Sequence, residues 1–484
     1  MHKFDNRFKV NRIIITNAIT VMVVILIVTV LTLITMGYTL TRDGRLAQTG
    51  LVQFVSVPSG ATVKIDGEQQ FSRTSTKAAL MPGEHDFSFS RKGYDTWSKK
   101  ADVHSGRVLW LNYARLIPNQ KTVKTVKTYE TLDKMNVSPK AQYILFMWSM
   151  PNVAIQLVDI RNDAIKVQDS QLAAFFSDMA IEDAQHAFDI TDWNEDENKV
   201  LVFHQFSGRS EWVLVDLKNP SDSVNITNEY KMGFSSAKFT SNDGNKLWML
   251  ENGNLRRADV GNKTVSAVLV SSVLSMYRVS ENETLLITAD EAAGTRSFSF
   301  YKNGNRGASE IYSLDASTQP MLNVVGGEYY SEDYVATSEG DRLQILKGSY
   351  PSFGKAGNPL NYLVNQKLEW PIERLELSSN KRFIYAINKG RVYNYDLENN
   401  VGRYFVLDGT YSSTTSLRWL DSYMLWTSDG GQLTVYDFDG NNKRNIQTFD
   451  PAFDVALTSN GKWLYTIAET SGGYNLQRLK MILE

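Results

Sequence analysis

Few side chains in this 484-residue sequence have the type and spacing that chemistry requires. The five histidines are His2, His85, His104, His186 and His204, and no two share a metal-ligand spacing. Each reads as a surface or turn residue, and there is no H-E-x-x-H. There is no cysteine, which excludes a thiol nucleophile, a disulfide framework, a Cys-ligated metal centre and a lipid-modified cysteine. A G-x-S-x-G elbow, a P-loop and a G-x-G-x-x-G are also missing. Asp437-x-Asp439-x-Asn441 begins like a calcium loop but lacks the Gly and the terminal Glu that complete one, so a tight turn accounts for it better. Glu195-Asp196-Glu197 reads as a solvated turn. Trp148, in the loop MWSMPNVA, and Trp193, just ahead of a strand, are the candidates for stacking on a sugar ring; packing between sheets is the competing reading. The expectation is a protein without catalytic residues, bound metal or cofactor, with Trp148 and Trp193 as candidate ligand contacts.

Those residues hang on an unusual chain. Through Arg45 there are six Lys/Arg and two Asp/Glu, a balance of +4, so the remaining 439 residues carry −6 of the net −2. Such a body has no basic excess for nucleic acid, and no nucleic-acid partner is expected. Residues 13–41 contain no charge and predict a transmembrane helix, about 43 Å long at 1.5 Å per residue, against a hydrocarbon core of roughly 30 Å. The run is longer than the apolar part of a cleaved signal peptide, and no A-x-A follows it. Lys3, Arg7, Lys9 and Arg12 precede it, whereas Arg42 and Arg45 follow with Asp43. That bias predicts a cytoplasmic tail over 1–12 and the bulk of this single-pass protein outside the cell membrane.

After the anchor, period-2 runs appear between turn signals: LVQFVSV, ATVKID, HDFSFS and RVLWLNYARL. Within 51–118, Pro58, Gly60, Ala61, Val63, Ile65, Asp66, Gly67, Leu80, Pro82, Gly83, Lys92, Gly93 and Tyr94 fall in register with the PEGA pattern. This stretch resembles a PEGA domain, a β-sandwich module of prokaryotic surface proteins. Two positions depart from the pattern: Ser59 replaces the Glu of the name motif, and Ser75 follows Thr74 where Pro is usual. The resemblance implies an extracytoplasmic module and no activity of its own.

From 119 to 484 a unit recurs: an Asn/Ser/Asp/Gly turn, an apolar strand, a loop, and a strand ending in Asp. The strand-end aspartates Asp159, Asp216, Asp259, Asp396 and Asp437 are spaced by 57, 43, 137 and 41 residues. The long gap accommodates two weaker copies, at 280–304 and 331–348. A repeat of this length built of short strands predicts a β-propeller, because a closed ring covers the faces that a lone four-stranded sheet exposes. Eight blades are expected, or seven if the copy at 331–348 is an insertion. The last copy has no room for an outer strand, so the β-rich run 122–130 is expected to complete it.

Ser241-Asn242-Asp243-Gly244, Ser459-Asn460-Gly461-Lys462 and Asp437-Phe438-Asp439-Gly440 resemble the WD40-like repeats of TolB-type propellers. Ser241-x-Asp243 also resembles the Asp-box of sialidases, but its Gly is out of place and the other repeats lack it. The expected whole is all-β beyond the anchor, a membrane-anchored binding or scaffold protein of the cell envelope with a protein or cell-wall glycan partner. The alternatives are a propeller enzyme acting on envelope glycans or peptides, and an envelope sensor or assembly factor.

Overall fold

The computed structural model describes residues 2–40, 44–149, 153–179, 186–315, 321–355, 357–407 and 417–483. The chain divides into two units, residues 1–120 with 482–484, and residues 121–481.

The first unit opens with helix α1 (His2–Thr35). Its stretch Ile15–Thr35 has a mean hydropathy of 2.8 and is 0% buried. The expected helix through residue 41 stops earlier. Gly37 takes a left-handed backbone (φ +79°) that other residues adopt at a cost. The chain then folds back as a hairpin of β1 (Tyr38–Leu40) and β2 (Leu46–Gln48). This return caps the helix: Gln48 Nε2 donates to Met36 O at 3.0 Å, and Thr49 N donates to Gly37 O at 2.8 Å.

A seven-stranded sandwich follows: β3 (Gly50–Val57), β4 (Thr62–Ile65), β5 (Glu68–Arg73), β6 (Thr76–Leu80), β7 (Gly83–Ser90), β8 (Trp97–Val103) and β9 (Val108–Arg115). One sheet has the order β6-β3-β9 and the other β5-β4-β7-β8. Alternate residues of β3 point inward, so Val52 and Phe54 are fully buried. Phe54 meets Phe87 and Phe89 with ring centroids 5.7 and 5.8 Å apart. The motif residues hold turns. Asp66 Oδ1 accepts from Asp86 N at 2.9 Å, and Thr74 Oγ1 accepts from Ala61 N at 2.9 Å.

Among the described residues the second unit holds eight four-stranded antiparallel sheets. Seven are contiguous: sheet 1 (134–171), sheet 2 (186–225), sheet 3 (236–265), sheet 4 (273–315), sheet 5 (322–367), sheet 6 (374–406) and sheet 7 (418–448). The eighth joins 456–480 to β10 (Val123–Tyr129), which pairs antiparallel with Gly473–Lys480 as the outer strand. The run expected to close the ring does so. Leu145 and Val202 share a core between sheets 1 and 2, Leu201 and Leu247 between 2 and 3, and Trp248 and Tyr301 between 3 and 4. Sheets 4 to 6 continue through Leu285, Val335 and Ile384. Phe383 of sheet 6 stacks on Phe438 at 4.4 Å, and Gln447 of sheet 7 donates to Thr466 of sheet 8. Tyr465 of sheet 8 then packs with Phe146 of sheet 1. Each sheet covers its faces with its two neighbours, the arrangement of a β-propeller.

The aspartates that set the repeat end third strands. Asp216 accepts from Lys218 N and Asn219 N at 3.0 and 2.8 Å, and Asp259 from Asn262 N at 3.0 Å. A short carboxylate bonding backbone two or three residues on is an Asx turn, which is why Asp recurs there.

Candidate functional site

The first strand of each contiguous sheet, and Ala456–Leu457 in the eighth, lies innermost, and the first strands of sheets 2 and 3, 4 and 5, and 5 and 6 touch. These strands surround the central channel, and charged side chains stitch them together. Lys134 of sheet 1 pairs with Asp189 of sheet 2, and Arg418 of sheet 7 with Asp454 beside sheet 8. Asp192 accepts from Phe239 N of sheet 3 at 2.8 Å, while Lys238 Nζ returns a hydrogen bond to Thr191 O at 2.9 Å. Arg374 of sheet 6 reaches Leu417 O of sheet 7 at 2.6 Å. Burial raises the carboxyl groups of Asp192, Glu376 and Asp454 above their ordinary values, against the pull of Lys238 on the first, Arg374 on the second and Arg418 on the third.

At one end of the channel this lining reaches across sheets. Arg278 of sheet 4 donates to Phe239 O of sheet 3 at 3.0 Å and lies 3.9 Å from Glu195 of sheet 2. Lys381, in the turn after the inner strand of sheet 6, runs over Gly327 of sheet 5. A Cβ at that glycine would lie 3.4 Å from Lys381 Cδ. Burial lowers the Lys381 amine, Arg278 lowers it further, and Glu195 opposes both. Two cations and a carboxylate from three non-adjacent sheets thus face one mouth, an arrangement suited to hydrogen-bonding and pairing with a polar or anionic group.

A second polar cluster lies inside sheet 2. Glu211 (2% exposed) accepts from Ser177 N at 2.8 Å, Ser177 Oγ at 2.6 Å and Asn225 Nδ2 at 2.8 Å, and faces His204 Nδ1 at 2.8 Å. Burial works against its charge, but these donors outweigh it and hold Glu211 at about 2. An ionised Glu211 accepts only, so His204 Nδ1 donates to it. His204 Nε2 and His186 Nδ1 lie 2.8 Å apart and share a hydrogen bond. The chain ends at His186 Nε2, which is buried and has no hydrogen-bond partner among the described residues. His204 is sandwiched by Phe188 (4.2 Å) and Phe206 (4.5 Å). Burial, helped by His204, lowers His186 below its ordinary value. Among the described residues no three His, Cys, Asp or Glu side chains are grouped to hold a metal ion.

The residues singled out from the sequence lie elsewhere. Trp193 is 7% exposed, and its Nε1 donates to Asn136 Oδ1 between sheets 1 and 2. Trp148 is half-buried against Tyr129 and Phe146, with Nε1 donating to Thr131 O at 2.8 Å. Both rings are packed into the joint of neighbouring sheets, apart from the channel-mouth charges. Asp437 and Asp439 are buried and bond within their turn, with Asp439 3.5 Å from Arg403. The run 195–197 is not uniformly solvated: Glu197 is 2% exposed and accepts from Lys140 N of sheet 1. His85 bonds Asp66 at 2.6 Å and Met81 O at 2.9 Å, a turn role. The pairing of His186 with His204 escaped the spacing test. Its signal is the doublet His186-Ala-Phe188 and His204-Gln-Phe206, two H-x-F triplets on adjacent antiparallel strands, which alternate rings across one face.

Residues 49–116 match the family model of the PEGA domain. No curated protein matches the chain by sequence. Among solved structures the chain is similar to the C-terminal WD40 domain of Sif2, at 12% identity and a TM-score of 0.48, covering 74% of this chain and 98% of that one. An oligogalacturonate lyase in complex with manganese aligns at 12% identity and a TM-score of 0.41, covering 73% and 98%. Porphyromonas gingivalis dipeptidyl peptidase 4 aligns at 11% identity and a TM-score of 0.46, covering 72% of this chain and 57% of that one.

Proposed function

We propose that the chain is a membrane-anchored, extracytoplasmic binding or scaffold protein of the cell envelope, whose propeller presents a platform to a protein or glycan partner. The observation that carries the reading is the helix Ile15–Thr35, which is 0% buried and precedes a chain built almost wholly of strands. In water each uncovered apolar side chain of such a helix forfeits roughly 1.5–3 kcal/mol of burial, and a bilayer supplies the missing cover. The basic residues ahead of it orient the chain with its N-terminus inside. The PEGA module supports an interaction role, and the channel mouth with Arg278, Lys381 and Glu195 offers a polar contact surface. Protease added to intact, wall-stripped cells should remove the β units and leave the tail. Survival of those units alongside an intact cytoplasmic marker would reverse the orientation. Crosslinking in membranes followed by purification should return a defined partner that is lost on Arg278→Ala and Lys381→Ala substitution.

A second reading, an enzyme on envelope glycans or peptides, draws on the buried Glu211–His204–His186 chain, because a carboxylate-oriented histidine pair with one ring nitrogen unpartnered is the arrangement acid–base chemistry uses. Retention of the wild-type partner and phenotype by His186→Ala would leave only the scaffold reading.

A further inference from the structure

The end of the sandwich nearest the anchor carries an apolar surface that its core does not use. Leu40 and Leu46 face each other directly across the β1–β2 hairpin and are 71% and 52% exposed. The same end carries Met81 and Val108, each 42% exposed. Met81 follows Leu80, the partner of Gly50 at the start of β3, and Val108 pairs with Leu51. Arg45 and Arg107 are exposed beside them.

The connection to the helix leaves no slack. Thr49 N and Thr49 Oγ1 both donate to Gly37 O at 2.8 Å, and Gly106 N of the sandwich donates to Thr49 O at 3.0 Å. Helix end, hairpin and sandwich edge are therefore one hydrogen-bonded piece. Where the helix leaves the hydrocarbon, the hairpin must sit in the interfacial layer, and leucine with flanking arginine suits that layer.

We infer that the β1–β2 hairpin, with Met81 and Val108, is a foot that rests in the headgroup layer of the leaflet from which the helix emerges, so that the sandwich stands on the membrane without a flexible stalk. The occupant of this surface is lipid, because the surface is continuous with the uncovered helix. The inference rests on the anchoring reading above. It holds the sandwich at a fixed height, and the opposite end of β3, just before Ser59, lies roughly 25 Å along the strand at about 3.3 Å per residue.

The chain has no cysteine, so single cysteines can be placed without background. The full chain in vesicles of phosphatidylcholine and phosphatidylglycerol, labelled with an environment-sensitive fluorophore at Leu40→Cys, Leu46→Cys, Ile25→Cys or Ser59→Cys, is read with lipids carrying quenchers at shallow or deep positions. The expected result is strong deep quenching at Ile25, shallow quenching at 40 and 46 several-fold above that at Ser59, and little at Ser59. Quenching at Ile25 with none at 40 or 46 would overturn the foot and leave the anchor intact. No quenching at Ile25 would instead overturn the anchor. Equal quenching at 46 and 59 would also overturn the foot, because the contact would then have no boundary.

Discussion

Sheets 3 and 5 reverse the chain between their first two strands by different physical means. In sheet 3 the passage from Ser236–Phe239 to Lys246–Glu251 takes six residues and is tied by side chains. Ser241 Oγ accepts from Lys246 N at 3.1 Å and donates to Asp243 at 2.6 Å, and Asp243 accepts from Asn245 N at 3.0 Å. In sheet 5 the passage takes two residues, Tyr330 and Ser331, both left-handed (φ +47° and +62°) between the paired Tyr329 and Glu332. Such a turn matches the strand twist through backbone alone. Sheets 6 and 8 repeat the tied form: Ser378 Oγ accepts from Phe383 N at 2.9 Å and Thr458 Oγ1 from Trp463 N at 3.0 Å. Sheet 4 also turns in two residues, between the paired Ser280 and Glu283, but without left-handed backbone, and Ser280 Oγ donates to Glu283 Oε2 at 2.9 Å. Strands and packing are common to all these forms, so the hydroxyl-and-amide turn is an accessory that some sheets carry and sheet 5 replaces with left-handed backbone.

The largest expected effect sets both classes against the one sheet that is not contiguous. A chain beginning at Lys134 lacks β10 and should lose on the order of 5 kcal/mol, from several ladder hydrogen bonds and the buried Tyr129, and should aggregate. One beginning at Asn119 should melt as the wild type does. Equal melting of the two by calorimetry would mean that turns, not closure, hold the ring.

Next, sheet 2 combines a tied turn at Asn194 with the buried Glu211. Glu211→Gln should cost about 3 kcal/mol, because buried donors lose an ionised acceptor. The pH dependence separates this from a turn effect. Glu211 is held at about 2 in the fold against an ordinary 4.5, so its contribution is complete above 4.5 and is lost as pH falls toward 2. His186, depressed below 6.5, adds a loss in the same direction as pH drops beneath that value, since the unfolded chain takes the proton more readily. The variant's melting temperature should fall less steeply from pH 7 to 3 than the wild type's; parallel curves would refute the assignment.

Smaller still, Ser241→Ala and Ser378→Ala should each cost about 1–2 kcal/mol, the range of a lost capping hydroxyl, whereas Ser331→Ala in the two-residue turn of sheet 5 should cost under about 0.5 kcal/mol. Three equal losses in urea titrations would erase the distinction between the turn classes. The smallest effect has the opposite sign. Ser331→Gly relieves a left-handed residue and should stabilise by a few tenths to about 1 kcal/mol, while Ser241→Gly should only destabilise.

The two forms also explain what could be read in advance. Ser241, Ser378 and Thr458 announced their sheets because a side-chain tie needs a particular residue at a particular offset. Sheet 5 is faint because two left-handed residues need no fixed type, and Tyr330 and Ser331 look like any surface pair; sheet 4 is faint because its two-residue turn leaves no room for the longer tied motif. The lysine-rich strand β10 was found by a deficit, the missing fourth strand of the last copy. The helix end was overestimated because Tyr38–Leu40 is as uncharged as the stretch Ile15–Thr35 and only Gly37 marks the change. The channel-mouth group was invisible for a different reason. Glu195, Arg278 and Lys381 lie on turns and a strand end of sheets 2, 4 and 6, and only ring geometry brings them together.

The pairing of β10 with the chain's far end sets a schedule for biosynthesis. Thr128 Oγ1 bonds Asn475 Oδ1 across 347 residues. At roughly 5–20 residues per second, β10 therefore emerges some 20–70 s before its mate exists. Throughout that wait it is an unmated strand beside a growing chain, in danger of recruiting the wrong neighbour. Lys121, Lys124 and Lys127 recur at every third residue through this stretch, and charge on a lone strand discourages such pairing. The same lysines stay at the outer rim once the ring is shut, so one feature guards the nascent chain first and the finished edge afterwards.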